Sequence, residues 1–157
     1  MSTHVEVPAL GKVLSPVKAI ADDLGKLVLR VGFGAMMALG HGLGKAQNFE
    51  GTAGFLEGKL GLSGTVNAYL VVGAELVCAT LVALGLLTRL STLPLLFAMG
   101  FAAFVHHAGD PMFAMEGAKK EPAVIYLLGF AAVLLVGPGR LSLDQLLFGL
   151  FRRRKTD

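Results

Sequence analysis

The chain has 157 residues, 54% of them apolar and 16% charged, with a mean hydropathy of +0.68 and a formal net charge of +3. Soluble domains carry about a quarter charged residues, so this balance excludes an ordinary soluble enzyme and places the chain among membrane proteins. The positive excess lies largely in Arg152–Arg153–Arg154–Lys155, a run without interleaved aromatics, which points to anionic lipid and away from nucleic acid.

Residues 1–23 contain Pro8, Pro16, Asp22 and Asp23 but no apolar core and no A-x-A site, so no cleaved signal peptide is expected. Val17, Ile20, Leu24 and Leu27 recur at helical spacing and predict a short interfacial helix leading into a first span at about 24–43. Further spans are predicted at about 67–87, 90–107 and 122–137, each near the ~20 residues that cross a bilayer core. The first ends in Gly40–His41–Gly42–Leu43–Gly44 and is followed by a long loop, where Thr52 is placed to cap a short helix carrying Phe55, Leu56 and Leu60. A loop of that length is more often a functional cover than a connector. Asn67 is the expected N-cap of span two. Leu87–Thr88–Arg89–Leu90 forms a tight hairpin before span three.

Loop three, Ala108–Glu121, leads to Pro122, which suits the first turn of span four, with the Glu121 carboxylate complementing the helix dipole. Gly137–Pro138–Gly139 stops that span. Ser142–Leu143–Asp144–Gln145 then reads as a capping box opening an amphipathic C-terminal helix. The expected architecture is all-α: one domain over residues 1–157, an integral membrane four-helix bundle with short interfacial helices at the N-terminus, in loop one and at the C-terminus, and a basic tail over 140–157. Lysine and arginine concentrate at both termini and at Arg89, while Lys45, Lys59, Lys119 and Lys120 on the opposite face are diluted by Glu50, Glu57, Asp110, Glu116 and Glu121. The expected topology is therefore N-in and C-in, across a bacterial-type cytoplasmic membrane.

Ionisable groups inside spans are costly and mark functional sites. Arg30, Gly34, Met37 and His41 fall on one face of span one, and Leu95, Met99, Ala102 and His106 on one face of span three. Glu75 lies ~12 Å below the outer end of its span and Arg30 about 16 Å below His41. An Arg30–Glu75 ion pair is expected as the floor of an outward-facing pocket, with His41 and His106 converging at its mouth. His106 and His107 point about 100° apart, so only one is expected to face inward. Each polar group also has a purely structural role open to it: Arg30–Glu75 as a helix lock, His41 as an interfacial residue, Glu121 as a helix-start carboxylate, Tyr126 as part of an aromatic belt. Cys78 alone supports no disulfide or thiolate cluster and reads as an inert apolar residue. A bis-histidine haem site from His41 with His106 or His107, or a metal site from His41, Glu75 and His106, lacks the i, i+3 or i, i+4 pairing such sites show, so no metal is assigned. The glycines of Gly40–Gly44 follow no strand and form no phosphate loop.

The chain resembles the DoxX family of small four-span membrane proteins. The resemblance rests on Leu29–Arg30 with Gly32, His41–Gly42–Leu43–Gly44–Lys45, Glu75, Leu84–Gly85–Leu86–Leu87–Thr88–Arg89, His106–His107, Glu121 and Gly137–Pro138–Gly139–Arg140–Leu141–Ser142–Leu143–Asp144. It implies a membrane bundle associated with redox chemistry, since members occur as subunits of thiosulfate:quinone oxidoreductase and in oxidative-stress complexes. The leading expectation is an accessory subunit that binds a quinone or similar lipophile through Arg30, His41, Lys45, Glu75, His106, His107, Glu121 and Tyr126. Its expected partners are membrane lipid and other redox subunits or a second copy of itself. A non-catalytic assembly subunit is the alternative; a haem-binding subunit and a small-solute transporter rank below it.

Overall fold

Apolar runs from which water is excluded must pair their backbone groups internally, and helix is the local solution open to a single segment. A computed structural model describes residues 10–113 and 120–153, and those residues are helical apart from turns and short loops. The tail residues Arg154 and Lys155 and the loop residues Glu116 and Lys119 lie outside the described residues. Helix α1 (Leu10–Met37) continues through a π turn, Ala38–Gly42, into α2 (Leu43–Gln47). Helix α3 (Phe49–Phe55) and a 3-10 turn, Lys59–Gly61, form the long loop. Next come α4 (Gly64–Val72), a second π turn (Gly73–Cys78) and α5 (Ala79–Leu84). Helix α6 (Thr88–Phe101) ends in a third π turn, Ala102–His106, and α7 (Lys120–Val136) and α8 (Leu143–Arg153) are the last of the described helices.

Three of these helices are long and apolar enough to cross a membrane: Pro16–Gln47, Gly64–Leu84 and Thr88–His106. Helix α7 has 17 residues and is apolar beyond Lys120 and Glu121. The four packed segments close a ring in which α1 lies against α5 and α7, and α6 against α5 and α7. Met37, Ala79, Val82, Leu95, Met99, Phe130 and Val133 fill its centre.

Local sequence explains most boundaries, and corrects several expectations. Helix α1 runs unbroken from Leu10 with Pro16 inside it, so among the described residues no separate helix precedes the first span. Asn48 rather than Thr52 caps α3, accepting from Gly51 N–H at 3.3 Å, while the Thr52 hydroxyl donates to the Asn48 carbonyl at 2.9 Å. Ser63 rather than Asn67 caps α4. Ser142 caps α8 as expected, accepting from Gln145 N–H at 3.2 Å.

The register between α1 and the α4–α5 arm is set by glycine. A Cβ on Gly34 would stand 2.8 Å from the Ala79 carbonyl oxygen, and one on Gly42 2.6 Å from the Glu75 backbone. Overpacking of this kind costs about 1–3 kcal/mol. Gly42→Ala is therefore expected to lower thermal stability in detergent by that amount. Gly40→Ala, whose new methyl meets nothing within 4 Å, should leave it unchanged or slightly raised.

Candidate functional site

The glycine register decides where the ionisable side chains fall. Gly42 rests on Glu75, and Arg30 lies twelve residues back along α1, about 18 Å away at 1.5 Å per residue. Arg30 and Glu75 therefore do not pair, and the expected ion-paired floor is corrected. Depth counted from predicted span ends cannot see a register that two glycines impose.

Arg30, 2% exposed, donates instead to the Ala83 carbonyl at 2.5 Å and to the Leu141 carbonyl. It belongs to a latch at the hairpin end of the molecule. There the Asp144 carboxylate accepts from Leu87 N–H at 2.7 Å, Thr88 N–H at 2.9 Å and the Thr88 hydroxyl at 2.8 Å, and so caps α6 from a distant part of the chain. Asp144 N–H in turn donates to the Gly85 carbonyl at 2.8 Å, and Asp23 accepts from Arg140 N–H at 3.0 Å. Leu87 has a φ of 48°, a conformation costly for a side chain with a Cβ, and Asp144 offsets it by engaging Leu87 directly. The hairpin motif and the Gly-Pro-Gly…Ser-Leu-Asp motif are two halves of one clamp.

Glu75 pairs with Lys45. Both carboxylate oxygens lie 2.5 Å from the Lys45 ammonium; the Glu75 side chain is 5% exposed and that of Lys45 is 37% exposed. The pair forms part of the wall of a cavity of about 510 Å³ between α2–α3, α4 and α6. Leu70, Val71, Phe97, Ala98 and Phe101 give it an apolar flank, Phe55, Leu56 and Leu60 a lid, and His106 and His107 both reach it, not one alone. The His106 ring stands edge-on to Phe55 at 5.1 Å and to His107 at 4.6 Å, and His107 meets Asp110 at 2.9 Å. Leu70 and Phe97 are exposed, so the cavity has a side opening between α4 and α6.

The lid is shaped by a residue read from the sequence only as a cap. Asn67, 2% exposed, donates through Nδ2 to the carbonyls of Leu56, Lys59 and Leu62 at 3.1, 2.6 and 3.2 Å. These bonds hold a turn in which Leu60 has a φ of 53°. Such backbone, over-determined by its surroundings, gathers at ligand sites.

His41 falls elsewhere. The π turn at Ala38–Gly42 adds a residue to the helical repeat, so the buried face of α1 passes from Met37 to Ala38 and Gly42 and leaves His41 exposed. Its ring lies edge-on to Tyr126 at 5.3 Å, and it does not line the cavity that His106 lines. Glu121 and Tyr126 flank a separate open groove of about 860 Å³ between α1 and α7, lined by Leu24, Gly25, Val28, Gly32, Phe33 and Met36. The eight residues expected to share one pocket thus divide: Lys45, Glu75, His106 and His107 at the cavity, His41, Glu121 and Tyr126 beside the groove, and Arg30 in the latch.

The three π turns carry the largest signal absent from the sequence. π-helix accounts for well under 1% of residues in proteins and clusters at functional sites, yet here one closes or interrupts each of the three long helices, beside His41, Glu75 and His106. Among the described residues no three His, Cys, Asp or Glu side chains come together as a metal site.

A family model described as DoxX matches residues 25–108. That segment contains Lys45, Asn67, Glu75, His106 and His107 of the cavity and stops short of α7 and the Asp144 half of the latch. No curated protein and no solved structure matches the chain.

Proposed function

Since the chain belongs to the DoxX family, we propose that it is a four-span subunit of a bacterial-type cytoplasmic membrane that binds a quinone or similar lipophile for a larger redox complex. The observation that supports this most is the 510 Å³ cavity itself, apolar and aromatic along α4 and α6 and lined also by Lys45, Glu75, His106 and His107. That is the layout suited to a ligand with a polar head and a greasy body. The side opening beside Leu70 and Phe97 lets such a molecule enter from among lipid tails. His106 is the group placed to exchange a proton with the head, since it lines the cavity and an imidazole can both donate and accept a hydrogen bond. Both termini and the Arg89 hairpin face the cytoplasm, where positive charge concentrates. Helix α7 forms the fourth span: its 17 described residues reach the lower end of spanning lengths, about 17–25, and it packs between α1 and α6. The redox association rests on the family resemblance.

Titration of the purified protein with a short-chain quinone tests the reading. Saturable binding is expected, weakened about tenfold or more in Glu75→Gln and His106→Ala, the equivalent of about 1.4 kcal/mol. His41→Ala should bind as the wild type does, since its ring lies against Tyr126 and outside the cavity. Binding that does not saturate, or that responds to His41 and not to Glu75 and His106, contradicts the assignment. The first of those results is what a pure assembly subunit would give.

A further inference from the structure

We propose that α8 lies along the bilayer surface, its apolar face in the acyl boundary, and is held there by anionic lipid head groups. This interaction surface is separate from the cavity and from the ligand the cavity takes.

Helix α8 is tied to the bundle at its start. The Ser142 hydroxyl caps its first turn, and Asp144 in that turn accepts from Leu87 N–H and Thr88 N–H at the start of α6. Those contacts fix its depth. Residues 85–87 join two helices long and apolar enough to cross a membrane, Gly64–Leu84 and Thr88–His106. Helix α8 therefore sets out from the level at which both leave the hydrocarbon. Its 11 residues extend about 16 Å, roughly half the ~30 Å of a bilayer core, so it does not cross. It runs either along the surface or out into water.

The side chains decide between these. Leu143, Leu146 and Leu147 follow i, i+3, i+4 and are 39%, 62% and 41% exposed, and the sequence continues the stripe with Leu150 and Phe151. Gln145, on the opposite face by helical register, is polar and exposed. Left in water, the stripe would be a contiguous bare apolar patch, the kind that marks a protein or membrane contact.

Charge selects the contact. The helix ends in Arg152–Arg153, and the sequence goes on with Arg154–Lys155. At the same end of the bundle Arg89 is exposed and has no ion pair among the described residues. The carboxylates there are already engaged: Asp22 by Lys26, Asp23 by Arg140, and Asp144 by the start of α6. The charge left over is positive. An apolar stripe edged with arginine matches a head-group layer of anionic lipid. Pairing with α8 of a second copy would instead bring the same positive charge to both sides of the contact.

The chain contains no tryptophan, so one substitution installs a single fluorescent reporter. Leu146→Trp, on the stripe, and Gln145→Trp, on the far face, are each placed in the full-length protein in lipid nanodiscs. The lipid is phosphatidylcholine alone or an equal mixture with phosphatidylglycerol. In the mixture, lipid brominated on its acyl chains should quench Leu146→Trp strongly and Gln145→Trp weakly, and acrylamide in the buffer should do the reverse. Each basic residue beside an anionic surface strengthens docking about fivefold. Omitting phosphatidylglycerol, or adding Arg152→Gln, Arg153→Gln, Arg154→Gln and Lys155→Gln together, should therefore reduce bromolipid quenching of Leu146→Trp and raise its quenching by acrylamide. These four positions lie outside the latch and the core, so helical content by circular dichroism should stay the same. Bromolipid quenching that is equal in both lipid compositions, or unmoved by the charge variant, overturns the anionic assignment. Ready acrylamide access to both reporters in the mixture overturns surface docking itself. A Leu146→Trp reporter shielded from both quenchers also overturns it, because protein and not lipid then covers the stripe.

Discussion

Lys45→Ala should destabilise the protein by about 3–5 kcal/mol, because it strands a carboxylate that the fold has already withdrawn from solvent. The reverse removal should cost much less. In Glu75→Gln the lysine side chain, 37% exposed, can swing its ammonium outward along its flexible stem, so the loss approaches the ~1 kcal/mol of a surface pair. Lys45→Ala/Glu75→Gln should recover most of the single-variant loss. Thermal unfolding in detergent of the four proteins measures the coupling. Equal losses from both single variants, with no recovery in the double variant, would show that the pair does not act as a unit.

Arg30→Ala should have an effect of similar size at the opposite end of the bundle. Hydrogen bonds from a charged donor contribute about 1.5–3 kcal/mol each, and the variant loses two, to Ala83 and Leu141, which belong to different parts of the chain. Arg30→Lys should recover only a fraction, since one ammonium cannot reproduce a planar fork reaching two carbonyls. Asp144→Ala should cost about 1–2 kcal/mol through the lost cap of α6 alone. Arg30 and Asp144 act on the same clamp, so their losses should combine non-additively, whereas Arg30→Ala and Glu75→Gln should add, since Glu75 packs on Gly42, about 18 Å from Arg30 along α1. Quinone affinity should be untouched in any Arg30 or Asp144 variant that remains folded, which separates the latch from the cavity.

Much of this architecture is legible in the sequence because it depends on local pattern. Apolar run lengths give the long helices, Gly137–Pro138–Gly139 gives the stop after α7, and Ser142 announces the start of α8. Lys45, Glu75, His106 and His107 stand out as polar groups in or beside apolar runs, and all four reach one cavity. Partner choice is not legible in that way. Whether Glu75 meets Arg30 or Lys45 depends on the offset between α1 and α4, which Gly34 and Gly42 set through contacts with residues far along the chain. His41 was expected on the Arg30 face by a strict 3.6-residue repeat, and the π turn that moves it has no sequence signature beyond local glycine. Asn67 and Asp144 each carry a local capping reading that hides a longer reach: one holds the lid, the other caps a helix more than fifty residues earlier.

The central claim is that a lipophile occupies the cavity between α4 and α6 and not the groove between α1 and α7. Photolabelling of the purified protein with a short-chain quinone bearing a diazirine on its tail, followed by peptide mapping, tests it directly. The account predicts saturable labelling of Leu70, Val71, Phe97 or Phe101, competed by unlabelled quinone and reduced in Glu75→Gln. Competable labelling of Val28, Phe33, Met36 or Ile125 instead, unchanged in Glu75→Gln, would contradict it.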